Sequence, residues 1–206
     1  MNVPNILTVL RAVLVPVFVG VLIYLDKFPV ACGLIAIAVF GITSLTDMLD
    51  GKIARKFNLV TTFGKVMDPL ADKFMVFMAM ISLTVKFFML SSKVDGFTNE
   101  KVFANVLLWV TMIVVFRELA VTSVRLVSAQ GGGGVIPANF FGKAKTVTQI
   151  IAIIIVLLEY TVIVGSDFKV NTLWIVSYIA LFLMAFMTVA SGINYFAANA
   201  KYFKEK

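Results

Sequence analysis

Histidine is absent from this chain of 206 residues, and cysteine occurs only once, as Cys32. Without histidine, the chain lacks the commonest general base and the commonest zinc ligand. A single cysteine cannot form an internal disulfide, and within an apolar run it is expected to be a small buried hydrophobe. The sequence therefore excludes imidazole-based catalysis and a disulfide framework.

Charged residues are also scarce: they make up 14% of the chain, against 61% hydrophobic residues. This composition differs from that of ordinary soluble domains, and the apolar runs are long enough to cross a bilayer. The net charge is +7, but a soluble nucleic-acid-binding patch is hard to reconcile with such hydropathy. The sequence predicts an integral membrane protein whose partners are anionic lipid or a phosphorylated substrate.

The apolar runs predict an all-α fold of six transmembrane helices in one membrane domain over residues 1–206. Its N-terminal segment is expected to be amphipathic, because Asn5, Thr8 and Arg11 are spaced by three along one side of a helix. Arg11 and Pro16 within the first apolar run indicate a retained helix and not a cleaved signal peptide. The predicted helices cover residues 6–25, 29–54, 63–89, 102–128, 143–164 and 172–198.

The distribution of basic residues predicts the orientation of the helices. With a cytosolic N-terminus, thirteen of the 18 Lys and Arg residues fall on the inner side or at inner helix ends. Both termini are therefore expected in the cytosol. The five basic residues on the outer side are Lys27, Lys86, Lys93, Lys101 and Lys169.

Four carboxylates interrupt the apolar sequence between residues 47 and 72. Asp47 and Asp50 are three residues apart, and Asp68 and Asp72 are four apart, so each pair shares one face of a helix. A short turn over residues 58–62 predicts that the second and third helices are antiparallel neighbours. Both pairs are then expected near the cytosolic surface.

Carboxylates this close together need compensating positive charge. An all-oxygen ligand set suits Mg²⁺ or Mn²⁺, and four acids carry enough charge for two ions, an arrangement known for displacement at phosphorus. Gly51 and Gly64 would let a bulky phosphorylated ligand approach, and Arg55 could donate to its phosphate. The alternative is that the small residues serve helix packing and the acids are merely solvated.

A second polar group comprises Arg117 and Arg125 in the fourth predicted helix and Lys143 and Lys145 at the start of the fifth. These cations have no surplus of acids nearby, which favours an anionic ligand. Two alternatives remain: Lys143 and Lys145 could be topology markers, and Glu118 could pair with Arg125 along one helix face.

The spacing Asp47-x-x-Asp50-Gly51-x-x-Ala54-Arg55, then Gly64-x-x-x-Asp68-x-x-x-Asp72, resembles the signature of the CDP-alcohol phosphotransferase family. The resemblance implies a six-helix membrane enzyme, commonly a homodimer, that uses Mg²⁺ or Mn²⁺ to transfer a phosphatidyl or similar group from a CDP-linked donor to an alcohol. It implies that all four aspartates bind metal and that Asp72 is also the catalytic base. The donor-binding residues it implies are Asn5, Thr8, Gly51, Arg55 and Gly64.

The segments around Arg117–Arg125 and Lys143–Lys145 further resemble the branch of this family that makes phosphatidylglycerophosphate. That resemblance implies CDP-diacylglycerol as donor and sn-glycerol 3-phosphate as acceptor, with CMP released, in a bacterial cytoplasmic membrane. The four cations of these segments would bind the acceptor phosphate. Rival interpretations are another acceptor (inositol phosphate, serine or phosphatidylglycerol), a divalent-cation transporter and a non-catalytic membrane scaffold; no nucleic-acid partner is expected.

Overall fold

The computed structural model describes the backbone of residues 3–56, 62–92, 99–130, 140–165 and 174–199, and the side chains of most of them. All the regular structure in these ranges is helical, in six helices whose ends lie within three residues of the predicted ones. The helices are α1 (Val3–Ile23), α2 (Pro29–Lys56), α3 (Thr62–Ser91), α4 (Asn99–Gln130), α5 (Phe140–Gly165) and α6 (Ile175–Asn199).

Within the described residues, five helices contain stretches that are long and apolar enough to cross a membrane. In α1 the corresponding apolar stretch is shorter, Val9–Ile23. Large apolar side chains such as Trp109, Phe116 and Phe182 point outward, as expected where lipid and not water surrounds a protein. The predicted all-α, multi-pass membrane architecture is confirmed. The five spanning stretches are Pro29–Thr46, Lys73–Ser91, Asn99–Arg125, Phe141–Gly165 and Ile175–Ala198.

The six helices form a closed ring in the order α1, α2, α5, α6, α4, α3. Helix α1 packs against both α2 and α3: the rings of Phe18 and Phe40 are 5.9 Å apart, and the Lys86 Nζ donates to the Ile23 carbonyl at 3.3 Å. The predicted direct pairing of α2 with α3 is therefore wrong for most of their described length. Helix α1 separates them because its apolar faces pack on both.

An aromatic cluster joins α3, α4 and α5 to the start of α6. The Phe87 ring meets Tyr160 and Trp174 edge-on, with centroids 5.5 Å and 4.9 Å away, and Trp174 stacks on Phe103 at 5.5 Å. Such aromatic pairs add stability beyond the area they bury. The cluster lies at the end of the bundle where α3 and α5 finish, opposite the ends that carry the aspartates.

Candidate active site

The four aspartates lie at one end of the bundle, where α2 finishes and α3 begins. Asp47 and Asp50 belong to the last turns of α2, and Asp68 and Asp72 belong to the first turns of α3. Because the backbone is helical at all four positions, residues spaced by three or four share a helix face. The predicted pairing within each helix is thus consistent with the backbone. The connection over residues 57–61, and the side chains of residues 47–72, lie outside the described part of the chain.

The predicted donor-binding residues occupy the same end of the bundle. Gly51, Arg55 and Gly64 belong to the helical segments that carry the aspartates, and Asn5 and Thr8 belong to the first turns of α1. Their side-chain surroundings also lie outside the described residues. The helices nevertheless bring all five backbone positions to one end, since α1 begins where α2 finishes.

Arg11 of α1 is buried, with 1% of its surface exposed. Lys86 of α3 contacts Ile23 of α1, and these two helices run in the same direction. Ile23 and Lys86 are therefore level with each other. Twelve residues earlier in each helix, Arg11 is level with Phe74, which is two residues from Asp72. A buried arginine of α1 therefore lies at about the depth of the aspartates.

The clearest polar cluster in the described residues joins α4 to α5. Arg117 Nη1 donates to Glu118 Oε1 at 2.9 Å, and Lys145 Nζ donates to the same oxygen. Glu118 and Lys145 are buried, with 9% and 8% of their side chains exposed, and Arg117 is mostly buried, with 12% exposed. Two cations share one carboxylate, so these three side chains together carry a net positive charge.

A hydrogen-bonded chain connects this cluster to the aspartate-bearing end of α3. Lys73, which directly follows Asp72, donates through Nζ to Thr122 Oγ1. Thr122 in turn donates to the Glu118 carbonyl at 2.7 Å. The start of α3 is thereby held against the turn of α4 that carries Glu118, so the cationic cluster lies beside the end of α3 that carries Asp68 and Asp72.

Helix α6 makes room for Arg117. A Cβ at Gly192 would lie 3.3 Å from the Arg117 Cγ and 3.9 Å from its Nε, so the arginine stem crosses α6 at a residue without a side chain. Three buried polar atoms on α4, α5 and α6 have no hydrogen-bond partner among the described residues: Arg117 Nε, Gln149 Nε2 and Thr188 Oγ1. Buried polar groups are usually satisfied, so each of these atoms can bind water or a polar ligand group.

The other two predicted cations differ from this buried pair. Arg125 is exposed, with its guanidinium carbon 6.0 Å from the centre of the Tyr195 ring, and Lys143 is also exposed. The alternative pairing of Glu118 with Arg125 is wrong, because the ion-pair partners of Glu118 are Arg117 and Lys145. The reason is that Glu118 points toward α5, where Lys145 supplies a closer, equally buried charge.

Sequence reasoning gave no role to Lys73 or Thr122 and considered Glu118 only as a partner of Arg125. The signal for Glu118 was present, since an acid in the middle of an apolar run is costly and calls for a partner. No such signal existed for Thr122, because its role depends on which residue of α3 faces it.

The model of the CDP-alcohol phosphatidyltransferase family matches residues 1–190, from the N-terminus into α6. The chain belongs to this family. Enzymes of the CDP-alcohol phosphatidyltransferase family use divalent metal ions, in keeping with a site built on carboxylates.

Three relatives illustrate the similarity. A CDP-diacylglycerol–glycerol-3-phosphate 3-phosphatidyltransferase of Bacillus subtilis is 38% identical, over 96% of this chain and 95% of the relative. A protein of the same name from Rickettsia bellii is 36% identical, over 98% of this chain and 97% of its own length. A probable phosphatidylglycerophosphate synthase of Mycobacterium tuberculosis is 33% identical, over 95% of this chain and 80% of the relative. The sequence similarity to these relatives thus covers nearly all the helices of the chain.

Proposed function

We propose that the chain transfers the phosphatidyl group of CDP-diacylglycerol to sn-glycerol 3-phosphate, giving phosphatidylglycerophosphate and CMP. The relatives with this activity in their names match nearly the full length of the chain. The observation that carries the choice of acceptor is the buried Arg117–Glu118–Lys145 cluster with its excess positive charge. It adjoins the aspartate-bearing end of α3, and it suits the phosphate of an acceptor.

The donor set fits a hard divalent cation. Four carboxylates at i,i+3 and i,i+4 spacing on two helix ends offer only oxygen ligands, the type that Mg²⁺ and Mn²⁺ prefer. Asp47, Asp50, Asp68 and Asp72 would hold two such ions. When bound, the ions would offset the negative charge of the pyrophosphate and of the departing CMP.

The nucleotide part of the donor is assigned to the same end of the bundle. Gly51 and Gly64 leave space beside the aspartates, and Arg55 supplies donors for the pyrophosphate. Asn5 and Thr8 in the first turns of α1 add polar groups for the cytidine side. The acyl chains stay in lipid, against the outward-facing apolar side chains of the bundle.

Asp72 is assigned the role of general base. Its carboxylate accepts the proton of the glycerol 3-phosphate 1-hydroxyl, whose oxygen forms a new bond to the β-phosphorus of the donor. The bond between that phosphorus and the CMP oxygen breaks, and CMP leaves with the electron pair. Lys73 follows Asp72 and bonds to Thr122, so the base stands on a helix turn that is fixed against α4.

The acceptor phosphate is assigned to the four cations of α4 and α5. The buried Lys145 and the mostly buried Arg117 form the inner part of this site, and the exposed Arg125 and Lys143 form its entrance. A phosphate can thus meet surface charge first and desolvated charge afterwards, where electrostatic attraction is stronger.

The placement in the cell follows from the charge distribution. Residues 1–206 act as one domain in the bacterial cytoplasmic membrane, with both termini and the active site on the cytosolic side. The working unit is a homodimer, and no nucleic acid takes part.

CMP release by the purified protein tests the function. We expect release from CDP-diacylglycerol only when glycerol 3-phosphate and Mg²⁺ or Mn²⁺ are present. Asp72→Asn should abolish it, whereas Glu100→Gln, an acid-to-amide change at the opposite end of the bundle, should retain it. Normal turnover by Asp72→Asn, or in the presence of EDTA, would contradict the mechanism. Equal or faster turnover with inositol phosphate, serine or phosphatidylglycerol would contradict the acceptor.

A further inference from the structure

Glu118 is the one residue of the buried cluster that contributes negative charge to a site proposed for an anion. Its Oε1 receives both Arg117 Nη1 and Lys145 Nζ, one from its own helix and one from α5. A carboxylate in that position repels a phosphate, so its presence needs a compensating benefit.

The benefit lies in holding the cations. Arg and Lys side chains lose much rotamer freedom when they are fixed. A shared carboxylate fixes both of them before the substrate arrives, so that less ordering remains to be done on binding.

The turn that carries Glu118 is itself held in place. Thr122 donates to the Glu118 carbonyl at 2.7 Å and accepts a hydrogen bond from Lys73 of α3. On the opposite side, Gly192 of α6 lets the Arg117 stem pass at close range. Three helices besides α4 thus set the position of the carboxylate: α3 through Lys73, α6 through Gly192 and α5 through Lys145.

The cluster remains able to bind an anion after Glu118 is counted. Two cations face one carboxylate, and Arg117 Nε is buried without a hydrogen-bond partner among the described residues. The free edge of the Arg117 guanidinium can therefore donate to phosphate oxygens, and the nearby Lys145 ammonium adds positive charge.

We infer that Glu118 is a positioning residue of the acceptor site, which orients Arg117 and Lys145 to receive the phosphate of the acceptor. This inference rests on the proposed function and adds a residue to it. The competing explanation is that Glu118 only neutralises buried charge and supports folding.

The two explanations differ in which kinetic constant changes. We expect Glu118→Gln to raise the KM for glycerol 3-phosphate about tenfold or more, the effect of loosening a hydrogen bond between charged groups. The KM for CDP-diacylglycerol should stay within about twofold of the unchanged protein. Glu118→Asp keeps the charge on a shorter stem and should recover part of the loss. Glu159→Gln is the matched control: Glu159 accepts a hydrogen bond from the Ser177 amide at the far end of the bundle, and both KM values should stay unchanged.

A double variant tests whether Glu118 acts through Lys145. Lys145→Met alone should raise the KM for glycerol 3-phosphate, and combining it with Glu118→Gln should raise it by much less than the product of the two single effects. Unchanged KM values in Glu118→Gln with only a smaller active fraction, or fully multiplicative effects in the double variant, would overturn the inference.

A binding measurement separates this inference from the proposed function. Glycerol 3-phosphate alone should raise the thermal unfolding temperature of the unchanged protein in detergent, and should raise it less in Glu118→Gln. If this holds while no CMP is released with glycerol 3-phosphate, the proposed function fails and the role of Glu118 stands. If the ligand stabilises both proteins equally, or neither, the role of Glu118 fails even where CMP release is normal.

Discussion

Among single residues, two clusters of charged side chains lie at opposite ends of the described part of this apolar bundle. The Glu118 cluster lies at the aspartate-bearing end, and a second group lies at the opposite end. There Lys86 Nζ is 3.1 Å from Asp26 Oδ1, and the Tyr160 hydroxyl donates to the same oxygen at 2.8 Å. Lys86 and Asp72 are separated by fourteen residues of α3, or about 21 Å along the helix. The second group therefore serves stability and not the chemistry.

Asp26→Asn tests that separation. The Lys86 side chain is 6% exposed, so removing its counter-charge should destabilise the fold by about 1–3 kcal/mol. The expected loss of stability is this small because the Asp26 side chain is 27% exposed and partly solvated. Thermal unfolding in detergent measures the change, and Lys27→Gln, a charge change at the neighbouring exposed position, is the control. A stability loss for Lys27→Gln as large as for Asp26→Asn would contradict the role of the pair.

Thr122→Val tests the link between α3 and α4. The change keeps the side-chain shape but removes the hydroxyl that receives Lys73, so the turn carrying Asp72 should be less well fixed. We expect kcat to fall about threefold to tenfold, equivalent to roughly 1 kcal/mol of lost positioning. Ser123→Ala is the control, because Ser123 makes the same type of bond to the Leu119 carbonyl on the exposed side of α4. An equal fall in kcat for both variants would contradict the role of the Lys73–Thr122 bond, because the Ser123 bond lies within helix α4.

At the scale of elements, the seam between α2 and α5 depends on glycine. A Cβ at Gly33 of α2 would lie 2.8 Å from the Thr161 Cβ and closer still to its hydroxyl. At the end of α5, a Cβ at Gly165 would lie 2.6 Å from a Val30 methyl group. Small residues let helix backbones approach closely in membranes, where packing and not hydrophobicity holds helices together.

Gly33→Ala should therefore force α2 and α5 apart. We expect a loss of about 1–3 kcal/mol, typical of overpacking in a tight interface, and partial recovery when Thr161→Ala is added. Gly41→Ala in the same helix is the matched control, because nothing lies within 4 Å of the added methyl group and alanine favours the helix. Unfolding temperatures of the three variants in detergent measure the effect. Equal stability of the Gly33 and Gly41 variants would refute the close seam.

At the scale of the whole molecule, the closed ring of helices separates two ends that should face different compartments. Gly165 at the end of α5 lies near Val30 at the start of α2, so Lys27 and Lys143 are at opposite ends of the bundle. The excess of basic residues predicts that the Lys143 end is cytosolic.

Labelling with a membrane-impermeant maleimide tests this orientation. In a Cys32→Ala background, Lys27→Cys should react in intact spheroplasts, and Lys143→Cys should react only after the membrane is opened. Both lysines are exposed, so neither site is shielded by the protein itself. Labelling of Lys143→Cys in sealed cells would reverse the assigned topology and place the active site outside.

Features that depend on local chemistry could be predicted from the amino-acid sequence. Helix positions followed from apolar run lengths, because a bilayer sets the length of a spanning helix. The family followed from the Asp47–Asp72 signature, because a site made of carboxylates at helical spacing needs particular residues at fixed intervals. These predictions needed no knowledge of which helices touch.

The tertiary structure decided which residues meet across the bundle. Helix α1 lies between α2 and α3, Glu118 pairs with Lys145 and not with Arg125, and Lys73 reaches Thr122. Spacing along one helix identifies residues on a common face, but it does not say which neighbour that face meets. That choice depends on the packing of six helices together, where Gly33 and Gly192 allow close approach and the buried charges select their partners.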